Sequence, residues 1–94
     1  MNIVYLKYAI TVAKAGSLTK AAEELYVAQP NLSRAIKEFE KELGITIFDR
    51  NSKGIKLTAD GELLIKSGKK ILREIDEMEE QVRSRQGKKI VFAV

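Results

Sequence analysis

Residues 21–39 read AAEELYVAQPNLSRAIKEF, and the second half of this stretch has a dry side and a wet side. Leu32, Ile36 and Phe39, continued by Leu43, are spaced four, three and four residues apart, which is one stripe of an α-helix. Gln29, Asn31, Ser33, Arg34 and Lys37 fall elsewhere on the same helix; all can hydrogen bond and two are cationic. The turn before this helix is short, so the preceding helix can brace it. Ala21, Leu25, Val27, Leu32 and Ala35, with Ala22 beside them, fit the buried positions of a helix-turn-helix, a motif whose second helix enters the DNA major groove.

Three positions inside the stretch bear on its geometry. Tyr26 occupies the turn, where a positive φ is often needed and where tyrosine is less tolerant than glycine or asparagine. Pro30 suits the first turn of the second helix, where a missing N–H has no consequence. Ala28 stands at the N-cap but cannot cap, so the helix start is expected to be weaker by roughly 0.5–2 kcal/mol. Asn31 or a DNA phosphate can satisfy some of the free N–H groups there.

Towards the N-terminus, residues 2–15 read as a first helix, with Ile3, Leu6, Ile10 and Ala13 as its expected apolar stripe. Asn2 is the expected N-cap and Gly16 the expected terminator. Ser17 caps a second helix that runs to about Leu25.

Towards the C-terminus, the recognition helix ends at Gly44, and ITIFDRNSKGIKLT follows over residues 45–58. Two apolar runs separated by Asn51-Ser52-Lys53-Gly54 predict a two-stranded hairpin. A lone hairpin of this size is unstable, so it must pack on the helices, and after a helix-turn-helix it is a wing. Arg50, Lys53 and Lys56 are its candidate contacts to the DNA backbone or minor groove. Thr58 caps a fourth helix from Ala59 to about Arg85. Along it Leu64, Gly68, Ile71, Ile75, Met78 and Val82 form an a/d seam, broadened by Ile65 and Leu72. One neighbouring helix cannot cover so wide a stripe, so the seam predicts a homodimer. Burying five or six aliphatic side chains at about 1.5–3 kcal/mol each is a substantial driving force before entropy is deducted. Glu74, Asp76, Glu77 and Glu79 argue against this helix lying on an anionic membrane. Gln86–Lys89 reads as a linker, and IVFAV, residues 90–94, as the opening strand of a further domain.

The composition is compatible with this layout and excludes much else. The 94 residues are 45% hydrophobic and 32% charged, enough for one small domain with a helical extension. Cysteine and histidine are both absent, which removes thiolate and imidazole metal ligands and the commonest general base. No metal, no cofactor and no catalytic activity are expected. No apolar run approaches a membrane span and no secretory signal opens the sequence, so a cytoplasmic location is the default. The net charge is +4, of which residues 1–58 supply +3. Mild excess positive charge suits a polyanionic partner.

The phrase AAEELYVAQPNLSRAIKEFEKELG followed by FDR, then the wing NSKGIKLT and ADGELL, closely resembles the N-terminal DNA-binding region of LysR-type transcriptional regulators. The resemblance covers about residues 1–90. It implies a mainly α fold with a small β-hairpin: a winged helix-turn-helix over 1–58, a linker helix over 59–87, and from 88 the start of a C-terminal effector-binding domain. It implies antiparallel pairing of linker helices, tetramers of the full-length protein, and a small-molecule effector sensed by the C-terminal domain. Gln29, Pro30, Ser33 and Arg34 match the start of the family's recognition helix, and Arg50 the arginine leading into its wing. Ala28 departs from the family's usual serine or threonine, and Tyr26 from its frequent histidine or asparagine.

Recognition chemistry follows from the residue types. Gln29 can pair bidentately with adenine and Arg34 with guanine, while Pro30 offers apolar contact to a thymine methyl. Ser33 is short and reaches a base or phosphate only if the helix sits deep. Thr19, Lys20 and Lys37 are the expected phosphate partners. Competing local pairings are Arg34 with Glu38, and Lys20 with Glu23 or Glu24. The rival function is a dimerisation module of another winged-helix family that does not read bases.

Overall fold

The computed structural model describes residues 1–51 and 53–93, with side chains as far as Arg85. Four helices and one hairpin follow in the order α1 (Ile3–Ala15), α2 (Leu18–Leu25), α3 (Gln29–Leu43), β1 (Phe48–Asn51), β2 (Gly54–Leu57) and α4 (Ala59–Ala93).

The helix ends are set by the expected residues. Asn2 Oδ1 accepts from Tyr5 N–H at 3.1 Å and Ser17 Oγ from Lys20 N–H at 3.3 Å. Gly16 and Gly44 close α1 and α3 in the left-handed conformation, at φ 69° and 70°. Tyr26 adopts the same conformation at φ 56°, ψ 41°, and its side chain is 95% exposed. Ala28 makes no side-chain cap.

The core is built where α1, α2 and α3 meet. Leu32, Ile36 and Phe39 of α3 are fully buried, together with Leu6, Ala9 and Val12 of α1 and Ala21 and Ala22 of α2. Tyr5 packs edge-on against Phe39, with ring centroids 6.2 Å apart. The buried face of α1 is rotated from the expected stripe. Its centre is Leu6, Ala9 and Val12; Ile10 and Ala13 flank it, and Ile3 is exposed. The small side chain of Ala9 explains the rotation, because it admits close approach by α2 and α3 while the bulkier Ile10 turns toward Gly68 of α4.

The hairpin is antiparallel, with Phe48 opposite Leu57, Asp49 opposite Lys56, Arg50 opposite Ile55 and Asn51 opposite Gly54. Its base is tied to the helices through two residues, Glu40 and Thr58. Glu40 of α3 accepts from the amides of Ile47 at 2.7 Å and Phe48 at 3.3 Å. Thr58 N–H donates to Ile47 C=O at 3.0 Å, and the Thr58 hydroxyl donates to Thr46 C=O. The same hydroxyl accepts from Gly61 N–H at 2.9 Å, so one threonine both caps α4 and closes the wing. A Cβ on Gly61 would lie 2.1 Å from Ile47 O, so only glycine permits this approach.

α4 packs on α1 and on β2 and then projects, giving the molecule a long dimension of 61 Å. Gly68 faces α1 directly: a Cβ there would meet Leu6 Cδ1 at 2.7 Å. Beyond Arg85 the sequence predicts a linker and a strand, but the helix continues through Ala93. A lone strand leaves its N–H and C=O groups unpaired, and the described strands offer residues 90–93 no ladder. Helical hydrogen bonds satisfy the backbone locally.

Candidate nucleic-acid interface

The outward side of α3 follows from its inward side. With 3.6 residues per turn, burying Leu32, Ala35, Ile36 and Phe39 directs Gln29, Pro30, Ser33, Arg34 and Lys37 onto a common outward arc. All are exposed except Ser33, which is half-buried. Asn31 is exposed but falls outside that arc, beside Glu38 and Glu42.

The wing joins this arc at one point. Arg50 Nη1 donates to Ser33 Oγ at 3.1 Å, across 17 residues of sequence. The short side chain of Ser33 thus meets the guanidinium as well as the surface. Side chains alternate across a two-stranded ribbon, so Arg50 shares its face with Ile55, while Lys56 and Asp49 lie on the other. Lys56 is exposed, on the ribbon face opposite to that of Arg50. Lys53 stands at the tip, where its N–H donates to Asn51 Oδ1 at 2.8 Å. Thr19 and Lys20 are exposed on α2, beside the Ser17 cap.

The guanidinium of Arg34 is not committed elsewhere. Among the described residues the ion pairs are Met1 amine with Glu42 at 2.9 Å and Arg83 with Glu80 at 3.8 Å. Neither uses Arg34 or Lys20. The described residues bury no polar or charged side chain and contain no cluster with metal-ligand geometry.

The seam on α4 divides. Ile65 and Gly68 are buried against α1, and Leu72 is half-buried against the same core. Leu64 and Ile75 are intermediate. Ile71, Met78 and Val82 are 46%, 57% and 53% exposed, and form the outward part. Among the described residues no helix is long and apolar enough to cross a membrane.

Sequence reasoning missed Glu40. It is one of three acids at alternate positions, Glu38, Glu40 and Glu42, and only its half-burial sets it apart. Its role depends on where the chain travels after Gly44, which helical periodicity does not encode.

The model for bacterial regulatory helix-turn-helix proteins of the lysR family matches residues 3–62, from the start of α1 to the first turn of α4. This chain belongs to the lysR family. BsdA of Bacillus subtilis, an HTH-type transcriptional regulator, is 42% identical over 90 residues, which is 87% of this chain and 31% of its own length. BenM of Acinetobacter baylyi, another, is 40% identical over 78 residues, 83% of this chain and 26% of its own. The chain thus spans about a third or less of these lysR-family relatives. Among solved structures, the BenM DNA-binding domain in complex with catB site 1 DNA superposes with a TM-score of 0.86 at 37% identity, covering 89% of this chain and 94% of that one. The CbnR DNA-binding domain in its DNA complex gives 0.84 at 34% identity, covering 89% and 97%. The winged helix-turn-helix described above is the DNA-binding domain of this family.

Proposed function

We propose that this chain binds double-stranded DNA sequence-specifically, as the DNA-binding region of a cytoplasmic bacterial transcriptional regulator that is not an enzyme. The observation that carries the reading is the outward arc of α3: Gln29, Arg34 and Lys37 are exposed together, with Arg50 of the wing hydrogen bonded to Ser33 in the same arc. Gln29 and Arg34 read base edges, each discriminating by about 1–3 kcal/mol. Lys37, Thr19, Lys20 and the uncapped first turn after Ala28 hold phosphates. Arg50 and Lys53 reach the backbone or the adjacent minor groove, and Asn31 and Lys56 contribute at the margins. The DNA complexes of the BenM and CbnR domains, which share this fold at more than 30% identity, support the reading.

The active unit is a homodimer joined through the outward seam of α4, with Ile71, Met78 and Val82 at its centre. Among the described residues nothing covers these three exposed aliphatic side chains, which stand at helical spacing. Residues from 88 onward lead into a C-terminal domain that binds a small-molecule effector and supports tetramers, consistent with the greater length of the relatives.

Selection of bound sequences from random duplexes tests the reading. The expected result is a two-fold related pair of half-sites about one helical turn, roughly 10 base pairs, apart or a multiple of it. Recovery of unselected sequence would overturn base reading and leave a dimerisation module.

A further inference from the structure

Four cations of α4 lie apart from the outward arc of α3 and the wing tip. Lys66, Lys69, Lys70 and Arg73 are exposed and follow the helical pattern i, i+3, i+4, i+7, so they form one stripe. Together with Leu57 of β2 and Ile65 they border an open groove of about 420 Å³. Glu62 is the lone acid along it. Glu74 stands one turn from Lys70, yet among the described residues none of the four cations is in an ion pair.

We infer that this groove docks an acidic segment of another protein. Two observations point to that occupant, and two more leave the groove accessible to it. The walls are cationic and unneutralised, so they complement Asp and Glu side chains. The floor carries the half-buried Leu57, backed by the buried Ile65, which suits an apolar peptide side chain and is of no use to a phosphodiester backbone. The groove also opens at the base of the wing, at the opposite end of β2 from the tip beside Lys53, so a duplex seated on α3 and the wing tip leaves it free. On a helix of 3.6 residues per turn the stripe points away from Ile71, Met78 and Val82, so pairing of α4 leaves it open as well. A DNA-bound dimer would then display one such groove per protomer to a second protein.

The test uses the whole chain bound to its selected duplex. The probe is a short fluorescent Asp/Glu-rich peptide with two leucines one helical turn apart, compared with its Asn/Gln counterpart. Amide shifts are expected at Leu57, Ile65 and Lys66 through Arg73, with the acidic peptide alone. Lys66→Glu with Lys70→Glu should weaken the acidic peptide by about tenfold or more and change duplex affinity by less than about twofold. Both positions are exposed, and an unchanged helical circular dichroism spectrum shows that the fold is kept. The inference is overturned if neither peptide binds, or if both bind alike. It is equally overturned if the double variant weakens the duplex as Lys37→Ala does, making DNA the occupant, or weakens self-association, making a second copy the occupant.

Discussion

At Tyr26 the backbone is left-handed and the ring is 95% exposed, so no packing offsets the conformation. A left-handed residue other than glycine costs roughly 1–2 kcal/mol, and asparagine tolerates it best. Tyr26→Asn is therefore expected to raise stability by about 1 kcal/mol, read as a higher urea midpoint with an unchanged slope. The strain was legible in the sequence because turn length and burial pattern fixed where the positive φ must fall. The pairing of Ser33 with Arg50 was not legible, since 17 residues and a change of element separate them. In DNA binding, Ser33→Ala and Arg50→Ala should be non-additive, with a coupling of at least about 0.5 kcal/mol. Strict additivity in a double-mutant cycle would mean that the two side chains act independently on the duplex.

Among the elements, the wing depends most on its anchors. An isolated hairpin of four-residue strands is marginal, and here the carboxylate of Glu40 holds the two amides at its entrance. Glu40→Ala leaves those partly buried amides without their acceptor, which costs about 1–3 kcal/mol. It should also raise hydrogen-exchange rates in residues 47–57 more than in α1. Equal rates would show that the helices alone hold the wing. Gly61→Ala drives a methyl into Ile47 O and should destabilise by more than about 3 kcal/mol, measured by thermal melting. The ends of α1 and α2, the close of α3 and the start of α4 were readable to within a residue because a polar cap or a glycine marks most of them: Asn2, Ser17, Gly16, Gly44 and Thr58; the far end of α4 carries no such mark and was placed about eight residues short. The buried face of α1 was misplaced because Ile3, Leu6, Ile10 and Ala13 and the set Leu6, Ala9 and Val12 both repeat with helical spacing. Only the neighbours choose between them.

In the whole molecule the decisive feature is the divided face of α4. Its inner part, Ile65, Gly68 and Leu72, is spent on α1, whereas Ile71, Met78 and Val82 stay exposed. The sequence showed one wide stripe and gave no sign of where the intrachain contact ends. Ile71→Lys with Met78→Lys should yield a folded monomer by sedimentation, because the core does not include either residue. Its affinity for a two-half-site duplex should fall far more than its affinity for a single half-site. A variant that remains dimeric would place the interface elsewhere. Lys37→Ala should weaken selected and random duplexes alike and reduce the salt dependence by about one unit.

The measurement that bears most directly on base reading by α3 is the affinity of Gln29→Ala for the selected duplex and for a random duplex at one salt concentration. Glutamine carries no charge, so its loss leaves the electrostatic attraction intact. The expected result is a loss of about 1–3 kcal/mol on the selected duplex and almost none on the random one. Equal affinity changes on the two duplexes would contradict the account.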